Sequence, residues 1–124
     1  MGRTLRFCHS YLFLCALFVS LAGPANADTN IIEHGKTVFQ HVCAPCHGAG
    51  PGLDGSKMLP GTAVLANRYQ GAVPALLEER PGLTFEFLNQ VVRHGQGAMP
   101  MFRKTEITDT ELKAVAAYLG RNVK

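Results

Sequence analysis

Two thiols and an imidazole stand in one short run, Cys43-Ala44-Pro45-Cys46-His47. Cysteines at this spacing lie one helical turn apart, so both thiols can add to the two vinyl groups on one edge of a porphyrin. C-x-x-C-H is accordingly read as a site of covalent haem attachment. The adjoining His47 ring then reaches the iron as its proximal axial ligand. Three other chemistries use parts of the same set. A thioredoxin-like dithiol needs a βαβ pattern around it, which this sequence does not show. A structural zinc site needs another ligand beyond Cys43, Cys46 and His47, and no second cysteine pair follows to supply it. A bare disulfide across two intervening residues closes too short a loop to stabilise much. Haem attachment is the reading whose motif is complete as it stands.

A six-coordinate iron needs a second axial ligand, and the candidates are Met58, Met99, Met101, His34, His41 and His94. His34 and His41 precede the motif on its own helix, too near to fold back over the opposite haem face. Met99 stands in Gly95-Gln96-Gly97-Ala98-Met99-Pro100, where glycines permit a sharp approach and the proline fixes the backbone just after the methionine. A lone methionine is ordinarily a gap-filling core residue. With a haem motif upstream, Met99 is favoured as the ligand by the His/Met pattern. Met101 remains a register alternative, Met58 a residue lining the pocket, and His94 a candidate of another ligand class whose place at a helix end suits capping.

These groups must be positioned by a small number of helices. Asn30 and Glu33 resemble a capping box, followed by Ile31, Gly35, Val38, Phe39 and Val42 at helical spacing, which predicts a helix from about Ile31 into the haem motif. Residues 48 to 82 contain seven glycines and four prolines. Regular structure there should be confined to short helical pieces near Ala63–Tyr69 and Pro74–Glu79. Thr84 to Gly95 should form a helix with Phe85, Leu88, Val91 and Val92 inward. Thr108-Asp109-Thr110-Glu111 is a capping box opening a last helix, with Leu112, Val115, Ala116 and Leu119 at helical spacing. Ala114, Ala117 and Tyr118 suit a close crossing with the helix of Gly35.

The chain is 124 residues with a formal charge of +3 and four cysteines. Its start carries Arg3 and Arg6, an apolar stretch from Tyr11 to Leu21 and the small-x-small site Ala25-Asn26-Ala27, so residues 1–27 read as a cleaved export signal. A stretch of about 11 apolar residues is too short to span a bilayer, which takes about 20. Cleavage leaves one domain, residues 28–124, in an exported, oxidising compartment, read as the periplasm. Loss of Cys8, Cys15, Arg3 and Arg6 leaves two cysteines and a formal charge of +1. A strongly basic nucleic-acid binder and a stably inserted membrane protein are thereby excluded. A domain this small ordinarily needs a cofactor, metal or crosslink to complete its core.

The Cys43–His47 motif in an early helix, with a Met99-Pro100 loop before a terminal helix, resembles the small class I bacterial cytochromes c. The resemblance covers nearly the whole of residues 28–124. It implies an all-α fold of three main helices around one covalent haem c attached to Cys43 and Cys46, with His47 and Met99 as axial ligands. It also implies a proline carbonyl, from Pro60 or Pro51, accepting the His47 ring N–H and orienting the imidazole. Arg68-Tyr69, the Pro74–Arg80 segment, Val91-Val92-Arg93-His94-Gly95 and Met99–Lys104 further resemble the cytochrome subunits of alkylphenol-oxidising flavoenzymes, of the p-cresol methylhydroxylase and eugenol hydroxylase type.

With both axial positions filled the iron has no open site, so the chain should carry single electrons and not act as an enzyme. Phe39, Leu65, Val92 and Phe102 would keep the pocket dry, and Ala44, Pro45, Ala98 and Pro100 would ring the exposed haem edge. Arg68, Arg93, Arg103 and Lys104 are candidates to neutralise a propionate, with Arg68 first because Tyr69 beside it adds a hydroxyl. Three functions follow. The first is the electron-accepting subunit of a flavoprotein dehydrogenase acting on alkylphenols, passing electrons to a downstream acceptor. The second is a free-standing carrier to a respiratory oxidase. The third is a ligand-binding or peroxidatic haem protein in which Met99 is not bound.

Overall fold

Proline chemistry shapes the element that carries the haem motif. In this computed structural model, which describes residues 25–121, α1 (Ala25–Val38) passes into a π-helical turn, Phe39–Cys43, and then into α2 (Ala44–His47). Pro45 has no N–H to give the carbonyl four residues before it. The chain widens to an i→i−5 bond, Ala44 N–H to Phe39 O, and α2 restarts with Pro45 in its first turn, where no donor is needed.

The helix begins earlier than expected. Asn30 and Glu33 lie inside α1 and not at its cap, because Ala25, Ala27 and Asp28 upstream suit a first helical turn. Ile31 is exposed, and Ile32 instead packs against the core with Val38, Phe39 and Val42. The expected export signal lies, through residue 24, outside the described residues, and its cleavage site Ala25–Ala27 forms the first turn of α1.

The last helix, α5 (Asp109–Gly120), crosses α1 at Gly35. A Cβ on Gly35 would stand 1.9 Å from the Ala114 carbonyl oxygen and 3.0 Å from Tyr118 Cβ. Phe39 and Tyr118 rings meet beside that crossing with centroids 5.6 Å apart. Ala114, Val115, Tyr118 and Leu119 are buried there, together with Leu112 and Ile107. The expected capping box is present: Glu111 N–H donates to Thr108 Oγ1 at 3.2 Å and Thr108 N–H to Glu111 Oε2 at 2.8 Å.

Between these helices lie α3 (Pro60–Tyr69) and α4 (Phe85–His94). α4 runs as the pattern of the sequence predicts, capped by Thr84, whose hydroxyl accepts from Phe87 N–H, and burying Leu88 and Val92. α3 starts three residues before the expected helical piece because Pro60 fills a first-turn position. The piece expected over Pro74–Glu79 is only a 3₁₀ turn, Leu77–Glu79. Arg80 beyond it is extended, as the residue before Pro81 must be to avoid the proline ring. Tyr118 ties this turn to α5 by donating its hydroxyl to Glu78. No strand is present, and no helix is long and apolar enough to cross a membrane, among the described residues.

Two measurements test this packing. Gly35→Ala forces the helices apart, so the folded protein should lose about 2 kcal/mol. That loss corresponds to a fall in Tm on the order of 10 °C for a domain this small. Acid should act through the start of α5. Thr108 backbone and side-chain hydrogen bonds hold Glu111 below its ordinary carboxyl value, and Lys104 and then Arg93 do the same for Asp109. A lowered folded pKa gives stability that is present above the unfolded carboxyl value of about 4 and is lost as pH falls through the folded value. Tm should therefore be level above about pH 5 and decline below about pH 4. A Tm that rises on acidification over that interval would contradict the cap geometry.

Candidate haem site

Helical continuity brings Cys43, Cys46 and His47 to one face at the end of a continuous helical element. Cys43 is half-buried, Cys46 is exposed, and both thiols are free. Burial, and then the neighbouring Cys46, push the Cys43 thiol up to about 11. This is opposite to the lowered pKa of a redox-active dithiol. No three metal-ligating side chains of the His, Cys, Asp and Glu types converge among the described residues, so the zinc alternative finds no completed ligand set.

His47 is half-buried, and burial followed by the charge of Arg80 lowers its pKa below the ordinary histidine value. The neutral ring, the form that ligates iron, is favoured. The ring is backed by the first turn of α3. A Cβ at Gly61 would lie 2.7 Å from His47 Cε1 and 2.8 Å from Nδ1, so only glycine leaves the imidazole its place. The neighbouring Thr62, itself buried, donates to Gly48 O at 3.0 Å and locks α3 to the residue after His47. His47 Nδ1 is buried without a hydrogen-bond partner. The carbonyls of Pro51 and Pro60 thus do not engage it here; Pro60 contributes by starting the helix that carries Gly61.

The candidates for the second axial position separate by burial. Met58 and Met101 are exposed, as are His34, His41 and His94. His41 and His94 turn Nδ1 back to carbonyls of their own helices, Thr37 O at 2.8 Å and Gln90 O at 2.9 Å. Met99 alone of the six is half-buried, and it packs against the same core as Cys43, Ala44 and Phe102. Its backbone is held in a small turn, with Gln96 N–H to Met99 O at 3.0 Å and Met99 N–H to Gln96 O at 3.1 Å. Among the residues expected to keep the pocket dry, Phe39 and Val92 are buried and Leu65 and Phe102 half-buried.

The charged candidates sort differently from the sequence expectation. Arg103 pairs with Glu106 and Lys104 with Asp109. Arg93 is engaged by Asp109 and Phe102 O. Arg68 is exposed, its guanidinium 5.7 Å from the Tyr69 ring centroid. Arg80, which the sequence reading named only within the Pro74–Arg80 segment and not among the propionate candidates, stands apart from these four. It is only 8% exposed, its guanidinium lies 4.5 Å from the Tyr69 ring centroid, and Nε donates to Pro74 O at 3.0 Å. Its Nη2 is buried with no partner, and no salt bridge to Arg80 occurs among the described residues. A buried, uncompensated guanidinium is costly unless an anion meets it. The site therefore fits a haem in three respects: a neutral imidazole seated on Gly61, a half-buried thioether on the core that also carries the cysteine turn, and a buried cation for a propionate. The sequence signal that bears on Arg80 is the proline on either side, Pro74 and Pro81, which pins the segment.

The family model described as cytochrome c oxidase, cbb3-type, subunit III matches residues 30–119. A cytochrome c6 from Synechocystis sp. is 33% identical over 109 residues, covering 87% of this chain and 77% of the relative. The 4-cresol dehydrogenase [hydroxylating] cytochrome c subunit from Pseudomonas putida is 30% identical over 103 residues, covering 80% and 68%. A cytochrome c6 from Cyanidium caldarium is 29% identical over 107 residues, covering 86% and 82%. No solved structure matches.

Arg80→Gln tests the buried cation. Removing a positive charge that holds a propionate should favour the oxidised form by about 1 to 2 kcal/mol at an effective dielectric of about 20. The midpoint potential should fall by tens of millivolts, whereas Arg68→Gln, at the exposed position, should move it much less. Equal effects of the two substitutions would refute the assignment.

Proposed function

This chain belongs to the cytochrome c family, with covalently bound haem c and an electron-carrying, non-enzymatic role, and on that premise we propose an exported carrier with His47 and Met99 as axial ligands. Its proposed electron donor is a flavin-dependent dehydrogenase acting on alkylphenols, in the periplasm, with a second protein as acceptor. Haem held this way supplies a one-electron Fe(III)/Fe(II) couple with no vacant position for a substrate. The observation that carries the reading is the half-burial of Met99 against the core, while the five other candidate ligands are exposed.

Each residue has a limited task in this reading. Cys43 and Cys46 would form the two thioether links, and His47 would bind through the nitrogen opposite its buried Nδ1. Gly61 gives the ring its seat, and Arg80, stacked on Tyr69, would hold a propionate. The thioether of Met99 favours the reduced iron, as does the water exclusion provided by Phe39 and Val92. An electron would leave through the edge near Ala44, Pro45, Ala98 and Pro100.

The flavoenzyme partner is supported by the 4-cresol dehydrogenase cytochrome subunit among the relatives and by the resemblance carried by Arg68-Tyr69 and the Pro74–Arg80 segment. A free-standing carrier to a respiratory oxidase is the second reading, favoured by the cytochrome c6 relatives, whose names carry no dehydrogenase. Purification of the native protein separates them. A flavin-containing chain that co-elutes and reduces the haem on addition of an alkylphenol supports the first reading, and elution alone with no such activity supports the second. Ligation is tested in the oxidised protein by the far-red sulfur-to-iron charge-transfer band. Met99→Ala should abolish that band and lower the midpoint potential by on the order of 0.1 V or more. Persistence of the band in this variant would assign the ligand to another methionine.

A further inference from the structure

We propose that Arg93 is the positioning residue that keeps the Met99 thioether on the iron, an inference that rests on the ligand assignment above. A neutral thioether on a flexible side chain is a weak ligand, so the population of the bound form depends on how firmly the loop is held. That loop runs from Gly95 to Thr108 and has no regular helix of its own to stiffen it.

The loop is fixed at two places. At its start, Gly95 N–H donates to Val91 O at 2.8 Å, and the residue must be glycine: φ is +71°, and a Cβ would lie 2.7 Å from Met99 O. The second fixing is at Phe102. Its N–H donates to Val92 O at 2.8 Å, and its carbonyl accepts from Arg93 Nη1 at 3.1 Å. Both backbone polar groups of Phe102 are thus taken by adjacent residues of α4. Only Pro100 and Met101 separate this grip from Met99, and the fixed φ of Pro100 helps transmit it.

Arg93 also fastens the loop to the terminal helix. Its Nη2 donates to Asp109 Oδ1 at 2.8 Å, and the other Asp109 oxygen accepts from Lys104 Nζ at 2.7 Å. Asp109 occupies the first turn of α5, where a carboxylate is favoured by the helix dipole. The Arg93 side chain is 12% exposed, in contrast to 73% for Arg103 in the neighbouring pair with Glu106. One planar guanidinium therefore joins α4, the ligand loop and α5 through a two-nitrogen fork, which a lysine ammonium cannot reproduce.

Imidazole added to the oxidised holoprotein reports on this clamp. It binds only where Met99 has left the iron, so its apparent affinity scales with the population of that form. Loss of the far-red band during titration gives the affinity. Arg93→Gln and Arg93→Lys should each bind imidazole at least about tenfold more tightly than the unaltered protein. Asp109→Asn, which leaves Arg93 Nη1 on Phe102, should give a smaller increase and serves where the Arg93 variants do not fold. Thr84→Ala, which removes the N-cap at the opposite end of α4 from Arg93, should lower Tm without tightening imidazole binding. Unchanged affinity in the Arg93 variants, or in Asp109→Asn where those do not fold, overturns the clamp, as does equal tightening by Thr84→Ala. A missing far-red band in the unaltered protein overturns the Met99 assignment instead, and the clamp with it.

Discussion

The close crossing of the first and last helices at Gly35 is the contact on which the rest of the structure depends. A methyl group at Gly35 would overlap the Ala114 carbonyl, so the helices meet backbone to backbone. That contact fixes the rod running from Ala25 to His47, and hence the direction in which Cys43, Cys46 and His47 project. It also fixes the start of α5, from which Asp109 reaches the loop of Met99. One helix pair in this way positions both the cysteine motif and the loop of Met99.

Around that pair, each polar attachment does a local job. Thr62 ties α3 to Gly48, which places Gly61 against the imidazole ring. Glu78 ties the 3₁₀ turn to Tyr118, and the segment leading out of that turn ends at Arg80 over Tyr69. The glycine-rich stretch is ordered by these few attachments, not by a helix of its own from Pro74. His47 Nδ1 and Arg80 Nη2 are both buried without partners, and both lie where haem chemistry gives them a use. A buried cation near the iron opposes its oxidation, and a preorganised loop keeps a soft ligand in place. These two effects act on the same quantity, the free-energy gap between the two oxidation states.

Membership in the cytochrome c family explains how so small a core is completed. Its buried side chains are concentrated in the α1–α4–α5 core, and the covalent cofactor would complete the remaining side. Relatives that include both cytochrome c6 and a dehydrogenase cytochrome subunit share this framework while differing in name and partner. The partner is thus a property of the surface around the haem edge and not of the fold.

Much of this was legible in the sequence because it is local. The C-x-x-C-H spacing, the Thr108–Glu111 capping box, the α4 stripe and the small residues at Gly35 and Ala114 each report on a few neighbouring positions. Burial is not local, and there the sequence by itself fell short. Ile31 and Ile32 are chemically alike, and only the register of α1 against α5 decides that Ile32 packs inward. Among six candidate axial ligands, sequence context favoured Met99, and the tertiary structure alone shows that the other five are exposed. Arg68 and Arg80 both approach the Tyr69 ring, yet only Arg80 is buried. Arg93 becomes a clamp only because α5 brings Asp109 to it across sixteen positions of chain. Short-range hydrogen bonding and periodicity are written in consecutive residues, whereas desolvation and long-range pairing arise only when distant segments close on one another.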